Sequence, residues 1–412
     1  MVARVLSSLA LISSLVSLAA SKPTIASAWF AGWHAADVTP KFTVSDVSWS
    51  KYTHMIYSFA ETTSNVKKIT LKGSEPSILP KFVKAAHKNN VKAMIAVGGW
   101  TGSRFFSTDV ATAENRTHFV KTVVDFVNKY DLDGVNIDWE YPNVQGIGCN
   151  TINKKDSTHL LSFLQELRAD PVGKKLVLSA AVVNPFAGPD GNPLANVSAF
   201  AEVLDHVAIM NYDVNGPWSA AVGANAPLND TCAPPKYQAG SAIDFVSNWK
   251  KAGFPAKQIV LGVAAYGHSF AVSKADAFAD AKKTKLALYA PFNASAVPVG
   301  DAWDDAAGVD ECGNFESQGG LMDFWALVED GYLNTDGTPA DGVPYIYDTC
   351  SQTPFVYNAT TEDMISFDDP RSFAAKGQWI KETGLAGFAT WEAGGDYKDL
   401  LLDSIRSAGG FD

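Results

Sequence analysis

The segment Asp133-Gly134-Val135-Asn136-Ile137-Asp138-Trp139-Glu140 alternates polar with apolar residues and ends on two carboxyls two positions apart. In an extended strand alternate side chains face the same side, so Asn136, Asp138 and Glu140 share one face and Val135, Ile137 and Trp139 the other. Same-face neighbours lie about 6.5 Å apart along a strand. Burying two acids together is costly unless one is protonated or hydrogen-bonded, and an ionised Asp138 would raise the pKa of Glu140. Glu140 would then remain a proton donor, which is what a general acid must be. Two blander roles compete. The Asn136-x-Asp138-x-Glu140 spacing imitates the start of a calcium loop, but Tyr141 stands where the turn glycine belongs. A purely structural acidic patch would place two inward acids on an apolar strand at a cost that only function explains.

Such a strand needs a scaffold that hides its length and presents its end. Apolar runs at 26–33, 54–60, 92–98, 134–140, 176–183, 206–212 and 259–266 read as strands. Between them, 77–88, 113–130, 157–168 and 241–252 have helical patterns; in 113–130, Phe119, Val120, Val123, Val124 and Val127 recur on one face. An eighth strand is expected at 385–391 and a last helix near 397–407. Strands alternating with helices imply βα units and a parallel sheet, and eight of them predict an α/β fold of the (β/α)8 TIM-barrel type. Such barrels place their active sites at the C-terminal ends of the strands, where Glu140 falls. Residues 268–364 break the rhythm with many Gly, Asp, Tyr and Pro. They read as an α+β subdomain inserted between strand 7 and helix 7, which leaves 21–267 and 365–412 as the barrel.

The 412 residues are 47% hydrophobic and 19% charged, which suits a packed globular core. A net charge of -11 argues against nucleic acid as a partner, since phosphate binding needs basic patches. Residues 1–20 read as a secretory signal, with Arg4 as the positive start, Leu9 to Leu18 as the apolar segment and Ser17-Leu18-Ala19 as the cleavage site. An extracellular protein is therefore expected. No later stretch is long and apolar enough to span a bilayer, so no membrane partner is expected. Cys149, Cys232, Cys312 and Cys350 favour two disulfides with three pairings open, and a Cys312–Cys350 staple is expected within the insertion. Sequons begin at Asn115, Asn196, Asn229, Asn293 and Asn358, as in an exported glycoprotein. The chain lacks Cys-x-x-Cys, His-Glu-x-x-His and Gly-x-Ser-x-Gly patterns and phosphate-cradling Gly-rich loops. Neither a metal nor an organic cofactor is expected.

At the acidic strand the chain resembles glycoside hydrolase family 18, the chitinases and related lectins, whose signature is Asp-Gly-x-Asp-x-Asp-x-Glu. Ala96-Val97-Gly98-Gly99-Trp100 is similar to the family's Ser-x-Gly-Gly motif on strand 3. Met210-Asn211-Tyr212-Asp213, followed by Gly216-Pro217-Trp218, looks like its strand-6 motif. Ala265-Tyr266-Gly267-His268-Ser269-Phe270 and Gly387-Phe388-Ala389-Thr390-Trp391-Glu392 fall at strands 7 and 8. The likeness covers nearly all of the mature chain, and the insertion matches the deep-cleft, chitinase-like branch. It implies a secreted chitinase that hydrolyses β-1,4-N-acetylglucosamine linkages in chitin or chitooligosaccharides by substrate-assisted, retaining catalysis. By that resemblance Glu140 protonates the leaving oxygen and later activates water. Asp138 orients the substrate acetamide, Tyr212 donates to its oxygen, and Asn136 fills the middle acidic position. Asp213 touches the distorted sugar, Met210 shapes the pocket and Trp391 forms its floor. Trp100, Tyr141, Trp218 and Tyr266 are further sugar-contact candidates, and Trp33 and Trp325 are candidate platforms. The implied partner is chitin or its oligosaccharides, bound by a monomer.

Several positions depart from the pattern. Asn136 replaces the middle Asp of the signature, Ala96 replaces the Ser that supports it, and Trp29 falls where strand 1 often carries Tyr. Asn has nearly the shape of Asp and can hydrogen-bond to Asp138, but it cannot ionise. The expectation is one altered support shell with a shifted pH–rate profile rather than dead chemistry. His268 stands where the family often has Arg, which puts one contact to sugar or to Asp213 in question. Fold does not guarantee activity, so two other functions compete. A chitin-binding lectin would typically have lost the acid, which is retained here as Glu140. An endo-β-N-acetylglucosaminidase acting on N-glycans uses the same two acids, but the strand-6 motif, Trp391 and the insertion favour chitin. The sequence leaves endo and exo action both open.

Overall fold

A computed structural model describes residues 24–36 and 38–411; the expected export segment, 1–20, lies outside them. Seven strands alternate with helices: β1 (Ile25–Ala31), β2 (His54–Ala60), β3 (Lys92–Gly98), β4 (Gly134–Asp138), β5 (Val177–Val182), β6 (His206–Ile209) and β7 (Ile259–Ala264). An insertion then supplies β8 (Tyr266–Ala271), β9 (Gly308–Val309), β10 (Phe315–Glu316), β11 (Leu321–Asp323), β12 (Tyr345–Asp348), β13 (Thr353–Asn358) and β14 (Asp363–Ser366). The last strand, β15 (Gly387–Trp391), closes the barrel in the order β1-β15-β7-β6-β5-β4-β3-β2, with every neighbouring pair parallel. The chain is thus the (β/α)8 barrel that its strand–helix rhythm predicts.

Helices cover the outside of the barrel and side chains fill its inside, so the strands are buried on both faces. In β4 the alternation works as expected: Val135, Ile137 and Trp139 join the core beneath the helices, while Asn136 and Asp138 are buried polar groups. The outer helix Ala113–Tyr130 is capped by Thr112, whose Oγ1 accepts from Asn115 N at 3.1 Å, and ends at Asp131 in the left-handed conformation. The barrel interior is lined by small residues around three large ones. Ala96, Ala181, Ala208 and Ala389 pack with Trp29, Met94 and Met210. The apolar run 206–212 is strand only as far as Ile209, so Met210 and Tyr212 lie in the turn at the barrel mouth.

The insertion forms a five-stranded antiparallel sheet, β11-β8-β14-β13-β12, and a separate hairpin, β9–β10. Its staple differs from the expected Cys312–Cys350 pairing. The disulfides are Cys149–Cys312 and Cys232–Cys350, and each ties a barrel loop to the insertion. The cause lies in the topology. Cys312 sits on the β9–β10 hairpin, which reaches the loop after β4, while Cys350 sits in the β12–β13 turn beside the loop after β6. A buried ion pair, Lys376–Asp368 at 2.6 Å, fixes the chain where it re-enters the barrel helix Pro370–Thr383. Among the described residues, no helix is long and apolar enough to cross a membrane.

Candidate active site

β3 and β4 end side by side, and their last residues set the position of Glu140. Gly98 has φ +112°, and a β-carbon there would lie 2.0 Å from Asp138 O, so only glycine permits the approach. The short turn after Gly98 brings in Ser103, fully buried, whose hydroxyl lies 2.9 Å from Asp138 O and accepts from Glu140 N at 3.0 Å. Asn150 Nδ2 donates to Glu140 O at 2.8 Å, so the Glu140 backbone is held from both sides. β4 itself stops at Asp138, which leaves Glu140 just past the strand at the barrel mouth. Burial first, and then the neighbouring Asp138, hold the Glu140 carboxyl well above the usual carboxylate range. Burial pushes Asp138 up to about 7, and its Oδ1 has no hydrogen-bond partner among the described residues. The Asp138 charge disfavours ionisation of Glu140, so the pair favours holding a proton on Glu140.

Across the mouth, the residues after β6 form the other half of the site. The Tyr212 hydroxyl has no protein partner among the described residues, and burial, with Asp138 next, keeps it protonated. Asp213 takes a left-handed conformation, φ 54°, and its Oδ1 accepts from Tyr266 Oη at 2.6 Å. His268 Nε2 lies 2.8 Å from the same oxygen, so the contact left in question by His268 is present. Asn225 holds this group together, accepting from Asp213 N at 2.9 Å and donating to Tyr266 O at 3.0 Å. Aromatic rings floor the site: Phe59 stacks on Trp391 at 5.5 Å between centroids and on Trp33 at 6.0 Å. Trp100 and Trp218 stand at the surface, 46% and 63% exposed. Met210 lines the inner wall, and Tyr141 packs beside it. Trp325 lies further out, edge-on to Trp303 at 5.2 Å.

The altered support shell is one connected group, although its bonds differ from the expected ones. Asn136 does not bond to Asp138. Its Oδ1 accepts from Trp29 Nε1 at 3.4 Å and its Nδ2 donates to Ser179 Oγ at 2.9 Å. Ala96 is the register partner of Asn136 on β3 and supplies no polar atom from its side chain. The Trp29 indole and Ala96 belong to the same inner cluster, and it is the indole that bonds the Asn136 amide.

Ser103, Asn150 and Asn225 position the site, and no spacing rule in the sequence singles them out. Glu392 is similar: it is buried, accepts from Ala31 N at 2.9 Å and lies 2.6 Å from His34 Nδ1, tying β15 to the turn after β1. Among the described residues no group of His, Cys, Asp and Glu has the arrangement of a metal site. What remains is a group of buried acids and hydroxyls at the barrel mouth, flanked by aromatic rings.

The barrel thus carries a buried acid pair at the end of strand 4 and an aromatic ring, Trp391, at the end of strand 8. The description "Glycosyl hydrolases family 18" matches residues 27–396, and the chain belongs to that family. A chitinase-like effector of Moniliophthora roreri is 54% identical over 98% of each chain. Another, from Moniliophthora perniciosa, is 51% identical over 94% of this chain and 87% of its own. Among solved structures, a chitinase from Rhizomucor miehei is 31% identical with a TM-score of 0.82, over 93% of this chain and 100% of that one.

Proposed function

We propose that the chain acts outside the cell, binding N-acetylglucosamine oligomers of chitin along the barrel mouth and hydrolysing them with Glu140 as acid. The reading is carried by the pair at the end of β4, where a protonated Glu140 stands beside an Asp138 oxygen with no protein partner. A buried unpartnered acceptor is a place for a ligand N–H, and an acetamide supplies one. With that N–H on Asp138 and the Tyr212 hydroxyl on the acetamide oxygen, the oxygen is aimed at the anomeric carbon. It attacks as Glu140 protonates the leaving glycosidic oxygen, so one C–O bond forms while the other breaks. The oxazolinium ion that results is stabilised by the Asp138 carboxylate. Glu140, now ionised, takes a proton from water, which opens the ring with retention of configuration.

A second reading, capture of the oligomer with little turnover, is favoured by Asn136, whose amide is taken up by Trp29 and Ser179. It also fits the word effector in the names of the two Moniliophthora relatives. Titration of the wild type with the N-acetylglucosamine tetramer, followed by mass analysis of the mixture, separates the two. Shorter products are the expected result. A tetramer bound yet intact after long incubation would leave capture, and absence of binding would remove both.

Export also fits three of the sequons as they are folded. The side-chain oxygens of Asn196, Asn229 and Asn293 accept from the backbone N–H two residues on, at 2.9, 3.1 and 3.1 Å. That leaves each amide nitrogen available. Asn358 accepts in the same way, at 2.8 Å, but its amide donates to Tyr332 Oη at 3.4 Å, and Asn115 donates its amide to Thr108 O at 2.8 Å. Glycan mapping of the chain exported from a eukaryotic host is expected to find Asn196, Asn229 and Asn293 occupied and Asn115 bare. A glycan on Asn115 would show that this selection rule is wrong.

A further inference from the structure

Residues 300–320 leave the inserted sheet as an arm and return to it. At the root, Asp304 accepts from Gly320 N at 2.9 Å and Leu321 N at 3.2 Å, and Leu321 pairs with His268 on β8. On its way out the arm meets the loop after β1. There Trp303 stacks on His34 with 4.1 Å between ring centroids, and its indole N–H donates to Pro40 O at 2.7 Å. Next comes the loop after β3, where Glu311 pairs with Arg104 at 3.3 Å. The tip ends on the loop after β4, where Cys312 is bonded to Cys149.

The strand order gives these contacts a direction. From β7, where the insertion rises, β4 is three steps away through β6 and β5, and five through β15, β1, β2 and β3. Contacts with the loops after β1 and β3 put the arm on the longer path. It therefore spans the β1–β3 side of the mouth from one wall to the other. The same side holds the aromatic run from Trp391 through Phe59 to Trp33. On the far side, Trp218 after β6 remains 63% exposed.

Trp303 packs the root of the arm against the core, but burial does not hold the tip. Val309 and Phe315 are cross-strand partners in the β9–β10 hairpin and are 71% and 75% exposed. The tip meets the barrel loops at the Arg104–Glu311 pair, at the disulfide and where Cys312 Sγ lies 3.7 Å from Ile147 O. An exposed ion pair holds weakly, so the disulfide is the tie that matters. A groove spanned at one end accepts a ligand lengthwise from its open end. It excludes the middle of a long chain, which can enter only sideways.

We propose that the arm, closed by Cys149–Cys312, makes this cleft selective for chain ends and short N-acetylglucosamine oligomers over internal segments of the polymer. The proposal rests on the sugar-cleft reading above. It is tested by titrating the tetramer and a soluble, high-molecular-weight glycol chitin, in which internal segments far outnumber ends, into three proteins. These are the wild type, Cys149→Ala with Cys312→Ala, and a variant with residues 307–317 replaced by two glycines together with Cys149→Ala. Tetramer affinity is expected to agree within about threefold across all three, while both opened variants bind the polymer about tenfold or more tightly than the wild type. The glycine-bridged variant decides the matter if the cysteine double variant does not fold. Equal polymer affinity in wild type and opened protein, with the tetramer still bound, overturns the arm's role. Failure of every protein to bind the tetramer removes the sugar-cleft reading and this proposal together.

Discussion

Glu140→Gln is expected to lower turnover of the N-acetylglucosamine tetramer by about 10²- to 10⁴-fold while its Kd stays within about threefold. The amide matches the carboxyl in size and still hydrogen-bonds, but it has no proton to give to a leaving oxygen. The fold has no reason to respond. The Glu140 main chain is held by Ser103 Oγ and Asn150 Nδ2, neither of which touches the side chain that changes. Contacts at Trp391, Trp100 and Trp218 should survive as well, because these residues lie on or after other strands. Loss of turnover with binding intact would assign the proton to Glu140. Equal rates in wild type and variant would take Glu140 out of the mechanism, and an equally inert wild type would leave only capture.

The barrel was legible because its signals are local and repeated. The period-2 alternation in Asn136-x-Asp138-x-Glu140 already gives the face on which two acids meet, and β4 follows it. The helix at 113–130 was readable because its apolar residues recur on one face, and the structure adds the Thr112 cap. Long-range pairing was not legible. Four cysteines permit three connectivities, and the choice depends on where the β9–β10 hairpin reaches, which no property of residues 308–316 states by itself. The same limit hid Ser103 and Asn225. A serine in a turn and an asparagine in a loop are ordinary residues until folding brings them to the backbones of Glu140 and Asp213. The bonds of Asn136 were misjudged for a related reason. Its neighbour along the strand was visible in the sequence, but Trp29, 107 positions away, was the nearer partner in space.

Asn136→Asp should move the acid limb of the kcat profile to lower pH. The reaction needs Asp138 ionised and Glu140 protonated, so the rate rises as pH climbs through the Asp138 pKa and falls when Glu140 loses its proton. Burial places Asp138 at about 7, since no residue donates to its Oδ1 and the carboxylate there is uncompensated. The wild type is therefore expected to be slow in acid and fastest at or above neutrality. A second carboxyl at position 136, holding a proton, could donate to Asp138 and favour its charged form. A fall of about one unit in the limb corresponds to a rate about tenfold higher at pH 5, with little change at pH 8 where Asp138 is already ionised. An unmoved limb would show that the unpartnered Asp138 oxygen does not govern the profile. Trp29 complicates the single change, because its indole N–H now binds the oxygen at position 136 and would also attract the new carboxyl. Ala96→Ser places a hydroxyl on the register partner of that position, where it can satisfy the new carboxyl and free its proton for Asp138. The two substitutions should therefore be non-additive, with Ala96→Ser alone nearly silent and the pair exceeding the sum. Additive effects would mean that Trp29, Ala96 and Asn136 are three separate changes rather than one rebuilt support for Asp138.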